Sequence, residues 1–61
     1  PELSRREKEV LAYLSQGLST SEISQLLFLS INTIQTYRKR LMEKLEAKNV
    51  AELVYKGKSL F

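Results

Sequence analysis

The chain contains no cysteine and no histidine. Without cysteine there is neither a disulfide framework nor a thiolate metal site, and without histidine the commonest metal ligand and general base is missing. No Gly-rich phosphate loop is present either, and a chain of 61 residues has little room for a pocket that excludes water. Catalysis is therefore set aside: no catalytic residue, no metal site and no cofactor is expected. Glu7 and Glu9 do not revive it, because two residues apart on a helix they face different directions. Apolar runs are short, as at Leu26, Leu27, Phe28 and Leu29, far below the roughly 20 residues of a membrane span. The first residues carry no signal-peptide pattern. These absences point to a cytoplasmic domain with no membrane partner, near the lower size limit for a core that folds without staples. Residues 1–61 are read as a single domain.

What charge there is lies unevenly. The formal net charge is only +3, yet from Gln35 to Lys48 the cations Arg38, Lys39, Arg40, Lys44 and Lys48 face only Glu43 and Glu46. Arg5, Arg6 and Lys8 are more than matched by Glu2, Glu7, Glu9 and Glu22. The positive field therefore sits on one element. A basic helix taken alone is more often a solvated face than a polyanion site, so the surrounding pattern has to decide.

Cap and turn chemistry divides the chain into four helices, and no β pattern competes. Ser4 and Glu7 have the spacing of a capping box, with Val10, Leu11 and Leu14 following at helical intervals, which predicts a helix over 5–16. Gly17 suits the left-handed residue that ends a helix. Ser19 and Glu22 repeat the box ahead of Ile23, Leu26 and Leu27, giving a helix over 20–27. After a short turn, Ser30 caps a third helix over 31–45, in which Ile34, Tyr37, Leu41 and Leu45 recur on one side. Asn49 and Glu52 offer a cap and a box-like pair for a fourth over 50–57, where Gly57 and Lys58 end the regularity. The tail reads as a domain end, with Leu60 and Phe61 either folding back on the core, the first reading, or meeting a neighbouring segment.

Four apolar stripes joined by short connections must bury one another, so the fold class is all-α: a compact four-helix bundle. Leu3, Val10, Leu11, Leu14, Leu18, Ile23, Leu26, Leu27, Leu29, Ile34, Leu41, Leu45, Leu53 and Val54 are core by periodicity. Phe28 is expected to cap the core at its turn, and Tyr13 and Tyr55 to be ordinary amphipathic surface residues. The second helix, the turn at Phe28 to Ser30 and the third helix then form a helix-turn-helix, the arrangement that lays its second helix in the DNA major groove. At about 100° per residue, Asn32, Gln35, Thr36, Lys39, Arg40 and Glu43 lie opposite the apolar stripe of the third helix. Amide, hydroxyl and cationic groups of this kind suit base edges: glutamine matches adenine, lysine matches guanine, and threonine meets a thymine methyl. A merely solvated face more often carries glutamate and alanine.

These residues carry a resemblance. The segments Leu-Ser-Arg-Arg-Glu-Lys-Glu-Val-Leu at 3–11, Gly-Leu-Ser-Thr-Ser-Glu-Ile-Ser at 17–24, Leu-Ser-Ile-Asn-Thr-Ile-Gln-Thr-Tyr-Arg at 29–38 and Leu-Met-Glu-Lys-Leu at 41–45 resemble the LuxR-type (GerE-like) helix-turn-helix domain, from Leu3 to about Val54. The resemblance implies a four-helix fold whose third helix reads double-stranded DNA for transcription regulation. It implies the C-terminal output domain of a bacterial response regulator or quorum-sensing regulator, with an N-terminal regulatory domain and RNA polymerase as further partners. Position by position, it puts Gln35, Thr36 and Lys39 at the base edges, and Thr33, Tyr37 and Lys44 at phosphates, with Ser21 and Arg38 as weaker phosphate candidates. It also implies a homodimer on DNA through the fourth helix, whose outward side carries Ala51 and Tyr55.

Three positions depart from the resembled pattern. Tyr37 stands where histidine is frequent, so a phenol must make that contact or serve packing alone; Glu46 stands where glycine is usual, and Val50 replaces a frequent arginine. A left-handed Glu46 costs on the order of 1 kcal/mol, which predicts a different helix end. Two other readings stay open. A sigma-factor region-four module shares the Leu-Ser-x-Arg-Glu opening and the helix-turn-helix, although Asn49 to Val54 resembles the LuxR-type fourth helix. A protein-interaction module would turn the same basic helix toward an acidic partner.

Overall fold

The structure is a computed structural model that describes residues 2–58; the expectation for Leu60 and Phe61 lies outside them. Each helix starts where a short polar side chain takes a free backbone N–H. Ahead of α1 (Arg5–Ser15), the Ser4 hydroxyl accepts from the Glu7 N–H at 3.2 Å and the Glu7 carboxylate accepts from the Ser4 N–H at 2.8 Å. Ser19 and Glu22 repeat this box for α2 (Thr20–Leu27) with the same two distances. Ser30 caps α3 (Ile31–Lys44) by accepting from the Thr33 N–H at 3.1 Å. Asn49 caps α4 (Val50–Gly57) through the Glu52 N–H at 2.8 Å, but the Glu52 carboxylate turns to Lys56, 3.2 Å away and one turn on, so only half of the expected box forms.

The first three helices end in one repeated turn. Gly17, Phe28 and Glu46 are left-handed, with φ of 89°, 56° and 54°. The next N–H in each case reaches back five residues: Leu18 to the Tyr13 carbonyl at 3.1 Å, Leu29 to Ser24 at 3.0 Å, and Ala47 to Met42 at 2.8 Å. Leu18, Leu29 and Ala47 then pack against the core, the apolar contact that accompanies this closure. Gln16 and Leu45 are the half-in residues before the left-handed position, which is why α1 and α3 each stop one residue short of the expected 5–16 and 31–45. Glu46 does take the left-handed conformation in place of a glycine. The Schellman closure and the anchoring of Ala47 hold it there, so α3 ends by the usual turn and not a different one.

Val10, Leu11, Ile23, Ile34, Leu41 and Leu53 are fully buried and Leu14 nearly so, forming one core where α1 packs on α3 and α4, and α3 packs on α2 and α4. Gly57 lies inside α4 and is buried: a Cβ there would fall 2.9 Å from both methyls of Leu11, so its missing side chain lets α4 close on α1. Two core expectations are corrected. Leu26 is half exposed, because α2 is short and presents to the core mainly its Ile23 face, with Leu27 partly buried beside it. Phe28 is 93 % exposed, since the left-handed turn swings it outward and leaves Leu29 to seal the core. Tyr13 is partly buried, with one side against the core, as an amphipathic surface residue would be. At about 1.5 Å per residue, the 14 residues of α3 run most of the longest molecular dimension of 26 Å. One flank of α3 is core and the other is surface.

Candidate nucleic-acid interface

That surface flank begins with Asn32. Asn32, Gln35, Thr36 and Lys39 are spaced by three and four residues and form one stripe down the first two turns of α3, all exposed, with Arg40 exposed beside them. No hydrogen bond or ion pair among the described residues engages the side chains of Asn32, Gln35, Lys39 or Arg40. Thr36 differs: its hydroxyl donates to the Asn32 carbonyl at 3.0 Å. Ile34 and Leu41, fully buried on the opposite flank, fix the rotation of the helix that presents this stripe.

The residues expected at phosphates are spread along the rim and differ in freedom. Thr33 is half-buried, and its hydroxyl lies 2.8 Å from that of Ser30 at the cap. Ser21 is exposed in the first turn of α2, and its carbonyl accepts from the Ser24 hydroxyl at 2.7 Å, which satisfies that otherwise buried group. Arg38 is half-buried and bolts the two helices of the motif together: one guanidinium nitrogen donates to the Thr20 hydroxyl at 2.9 Å, while Nε is buried without a partner among the described residues. Tyr37 packs its ring against the core and is half-buried, the packing role left open for it.

Lys44 is the least free of the set. Its ammonium donates to the Glu7 carboxylate at 2.8 Å and to the Glu2 carbonyl at 3.3 Å, tying the end of α3 to the start of α1. Glu7 is 3 % exposed. The Lys44 hydrogen bond, then the Ser4 N–H, hold its carboxyl below the ordinary range against the opposing effect of burial. On α4, Ala51 and Tyr55 are both exposed one turn apart, Tyr55 at 76 %. Lys56 donates to the Glu46 carbonyl at 2.7 Å and so ties α4 to the turn after α3.

The sequence signature of the bacterial regulatory proteins of the luxR family matches residues 1–56. The chain belongs to this family. It is 46 % identical over 52 residues to BvgA of Bordetella pertussis, named a positive transcription regulator of virulence factors, covering 85 % of this chain and 25 % of that protein. It is 41 % identical over 51 residues to the DNA-binding transcriptional activator EvgA of Escherichia coli K12, covering 84 % and 25 %. It is 48 % identical over 52 residues to a transcriptional regulator of Pseudomonas aeruginosa, covering 85 % and 25 %. The chain thus spans about a quarter of the length of these curated relatives. No solved structure matches it. Membership of the luxR family disfavours the sigma-factor alternative.

In this LuxR-family chain, sequence reasoning placed Asn32 on the polar face but gave it no role, although its spacing to Gln35, Thr36 and Lys39 was visible. It missed the Lys44–Glu7 pair, whose partners lie 37 positions apart, and the Arg38–Thr20 bond across the motif, 18 positions apart. No local spacing encodes either. Among the described residues no helix is long and apolar enough to cross a membrane.

Proposed function

We propose that this LuxR-family chain binds double-stranded DNA sequence-specifically to regulate transcription, with α3 in the major groove. The observation that carries the reading is the exposed stripe of Asn32, Gln35, Thr36 and Lys39 on a helix whose other flank is pinned in the core. Amide, methyl-bearing and cationic groups held on a rigid helix are what base-edge recognition requires. Gln35, Thr36 and Lys39 are assigned to bases. Thr33, Tyr37, Ser21, Arg38 and Lys44 are assigned to the phosphate rim, with Arg38 and Lys44 also bracing the scaffold.

The rest of the reading rests on the family and on the relatives, of whose length the chain spans a quarter. The chain is the C-terminal output domain of a longer bacterial regulator with an N-terminal regulatory domain, acting in the cytoplasm and working with RNA polymerase. It binds DNA and does not catalyse a reaction. Two copies pair on DNA through the outward side of α4 at Ala51 and Tyr55. So short a helix offers a few hundred Å² per partner, below the roughly 1,000 Å² of a stable interface, so DNA supplies the common scaffold. The test is a salt titration of the chain against a duplex selected from a randomised pool and against its scrambled counterpart. Selective, steeply salt-dependent binding is expected. Equal affinity for both duplexes, or no binding to either, refutes the reading.

A further inference from the structure

We infer that the turn between α2 and α3 is a docking surface for a second protein bound to the same DNA, and that Phe28 is its centre. The inference rests on the proposed DNA-binding reading and adds where that reading's protein partner, RNA polymerase, touches the chain. Four large apolar side chains are exposed among the described residues, and three of them, Leu26, Phe28 and Ile31, fall within the six positions that span the turn. Phe28 is 93 % exposed on a left-handed backbone with φ of 56°. Both features are costly: a bulky side chain is a poor left-handed former, and a ring left in water forgoes the burial through which it stabilises a fold. The turn does not need the ring. It closes through the Leu29 N–H on the Ser24 carbonyl at 3.0 Å and through Leu29 packing on the core. A strained aromatic that the described residues leave uncovered points to a role outside the chain.

The chemistry of the surface selects its partner. Residues 23–37, between Glu22 and Arg38, carry no charged side chain in a chain of which 28 % is charged. Leu26, Phe28 and Ile31 offer a phosphate neither charge nor donor. A second copy fits no better, because pairing through α4 closes a two-fold dimer, and a further self-contact at the turn would build an open series of copies. An apolar, uncharged protein face is the complement that remains. Ile31 opens α3 one turn before Gln35, so the surface adjoins the base-facing stripe and its occupant lies beside DNA. Three such side chains offer roughly 300 Å², well under the roughly 800 Å² per partner of a stable pair. The contact therefore forms where DNA holds both proteins at high effective concentration.

The experiment places a duplex sequence selected from a randomised pool upstream of a core promoter, at a series of spacings, and measures the affinity of the chain for it with and without bacterial RNA polymerase holoenzyme. At a favourable spacing, polymerase should tighten binding of the parent about tenfold, the lower end of what burying a phenylalanine side chain contributes. Phe28→Asn should lose that gain while binding the duplex alone within about twofold of the parent. Asparagine tolerates the left-handed region, so this variant should also melt at an equal or higher Tm. Leu26→Gln should lose part of the gain, and Phe28→Tyr, which keeps the ring, should retain it. If parent and Phe28→Asn respond to polymerase alike, or neither responds at any spacing, the inference is wrong while the DNA-binding reading stands. A lowered Tm for Phe28→Asn would show that the ring serves the fold, and loss of cooperative binding to a two-half-site duplex would make a second copy the occupant. Tighter DNA binding by the longer regulator carrying Phe28→Asn, with the polymerase response unchanged, would make its regulatory domain the occupant. Each of these three results overturns the inference. If no duplex is selected, it fails together with the DNA-binding reading.

Discussion

Replacing Glu7 by glutamine separates the charge of the buried carboxylate from its capping role. Glutamine keeps an oxygen that accepts from the Ser4 N–H, so the capping box survives, and what is lost is the ionic part of the 2.8 Å bond from Lys44. A hydrogen bond to a charged group contributes roughly 1.5–3 kcal/mol. Because the Lys44 side chain is 39 % exposed, water screens it, and the expected loss is about 1 kcal/mol at pH 7. For a domain of this size that is a sizeable fraction of the total, and it lowers Tm by roughly 4–8 °C.

The pH dependence follows from the direction of the Glu7 shift. Its carboxyl is held below the ordinary value by the Lys44 bond first and the Ser4 N–H second. A folded-state pKa below the unfolded one means the contribution is fully present above the unfolded value, about 4.3 for glutamate, and is lost as pH falls through the folded one. Urea unfolding of the parent and Glu7→Gln at pH 7 and near pH 3 should therefore give stabilities that differ at neutral pH and converge in acid. Glu22, whose carboxyl is also lowered by its Ser19 cap, is present in both proteins and cancels in the difference. An equal difference at both pH values would falsify the assignment of the effect to the Glu7 charge.

Other substitutions test the packing and the interface. Ile34→Ala or Leu41→Ala, each fully buried on the inner flank of α3, should cost roughly 2–5 kcal/mol in a denaturant melt; an unchanged midpoint would show that the face is misassigned. Glu46→Gly should raise stability by about 0.5 kcal/mol, because relief of the left-handed strain exceeds the added freedom of the unfolded chain, and a lowered Tm would contradict the turn geometry. Gly57→Ala should instead lose about 1 kcal/mol, since its Cβ would fall 2.9 Å from both methyls of the fully buried Leu11 and force that side chain to shift; a stabilised variant would refute the close approach of α4. Gln35→Ala and Lys39→Ala should each lose about 1–3 kcal/mol on a selected duplex and much less on its scrambled form. Equal losses on both duplexes would remove these residues from base reading.

What the sequence made legible was whatever depends on neighbours within one turn. Ser4 with Glu7, Ser19 with Glu22, and Ser30 and Asn49 announce where helices begin, because a cap and its N–H are three residues apart. Gly17 announced one helix end, but Phe28 and Glu46 did not, since bulky or charged residues are poor left-handed formers. A signal for those two turns was present nonetheless in Leu29 and Ala47, the apolar residues that follow them. Leu26 and Phe28 were misplaced for a related reason: hydrophobicity alone does not tell which side of a two-turn helix or a left-handed turn meets the core. In the candidate interface, the outward stripe of α3 was legible from periodicity, whereas the bond that fixes the Thr36 hydroxyl depends on a rotamer that spacing does not encode.

Lys44 shows how scaffold and interface share one side chain. The family resemblance places it against phosphate, and the structure places its ammonium on Glu7 and on the Glu2 carbonyl. The two roles are compatible in number, because an ammonium has three protons and two are directed inward, leaving one on a side chain that is 39 % exposed. They are not separable by deleting the lysine. Removing it would leave the Glu7 carboxylate, 3 % exposed, without its cation, and an unpaired buried charge is far costlier than a lost surface contact. Lys44 therefore cannot be treated as a simple phosphate anchor whose loss spares the fold. With Glu7 already changed to glutamine no buried charge is stranded, and only in that background does removing Lys44 isolate what its remaining proton contributes to DNA. The tie has a structural consequence as well. Glu7 caps the first turn of α1 while Lys44 closes the last turn of α3, so the helix that presents Gln35, Thr36 and Lys39 is held at its far end by the same carboxylate that starts the first helix.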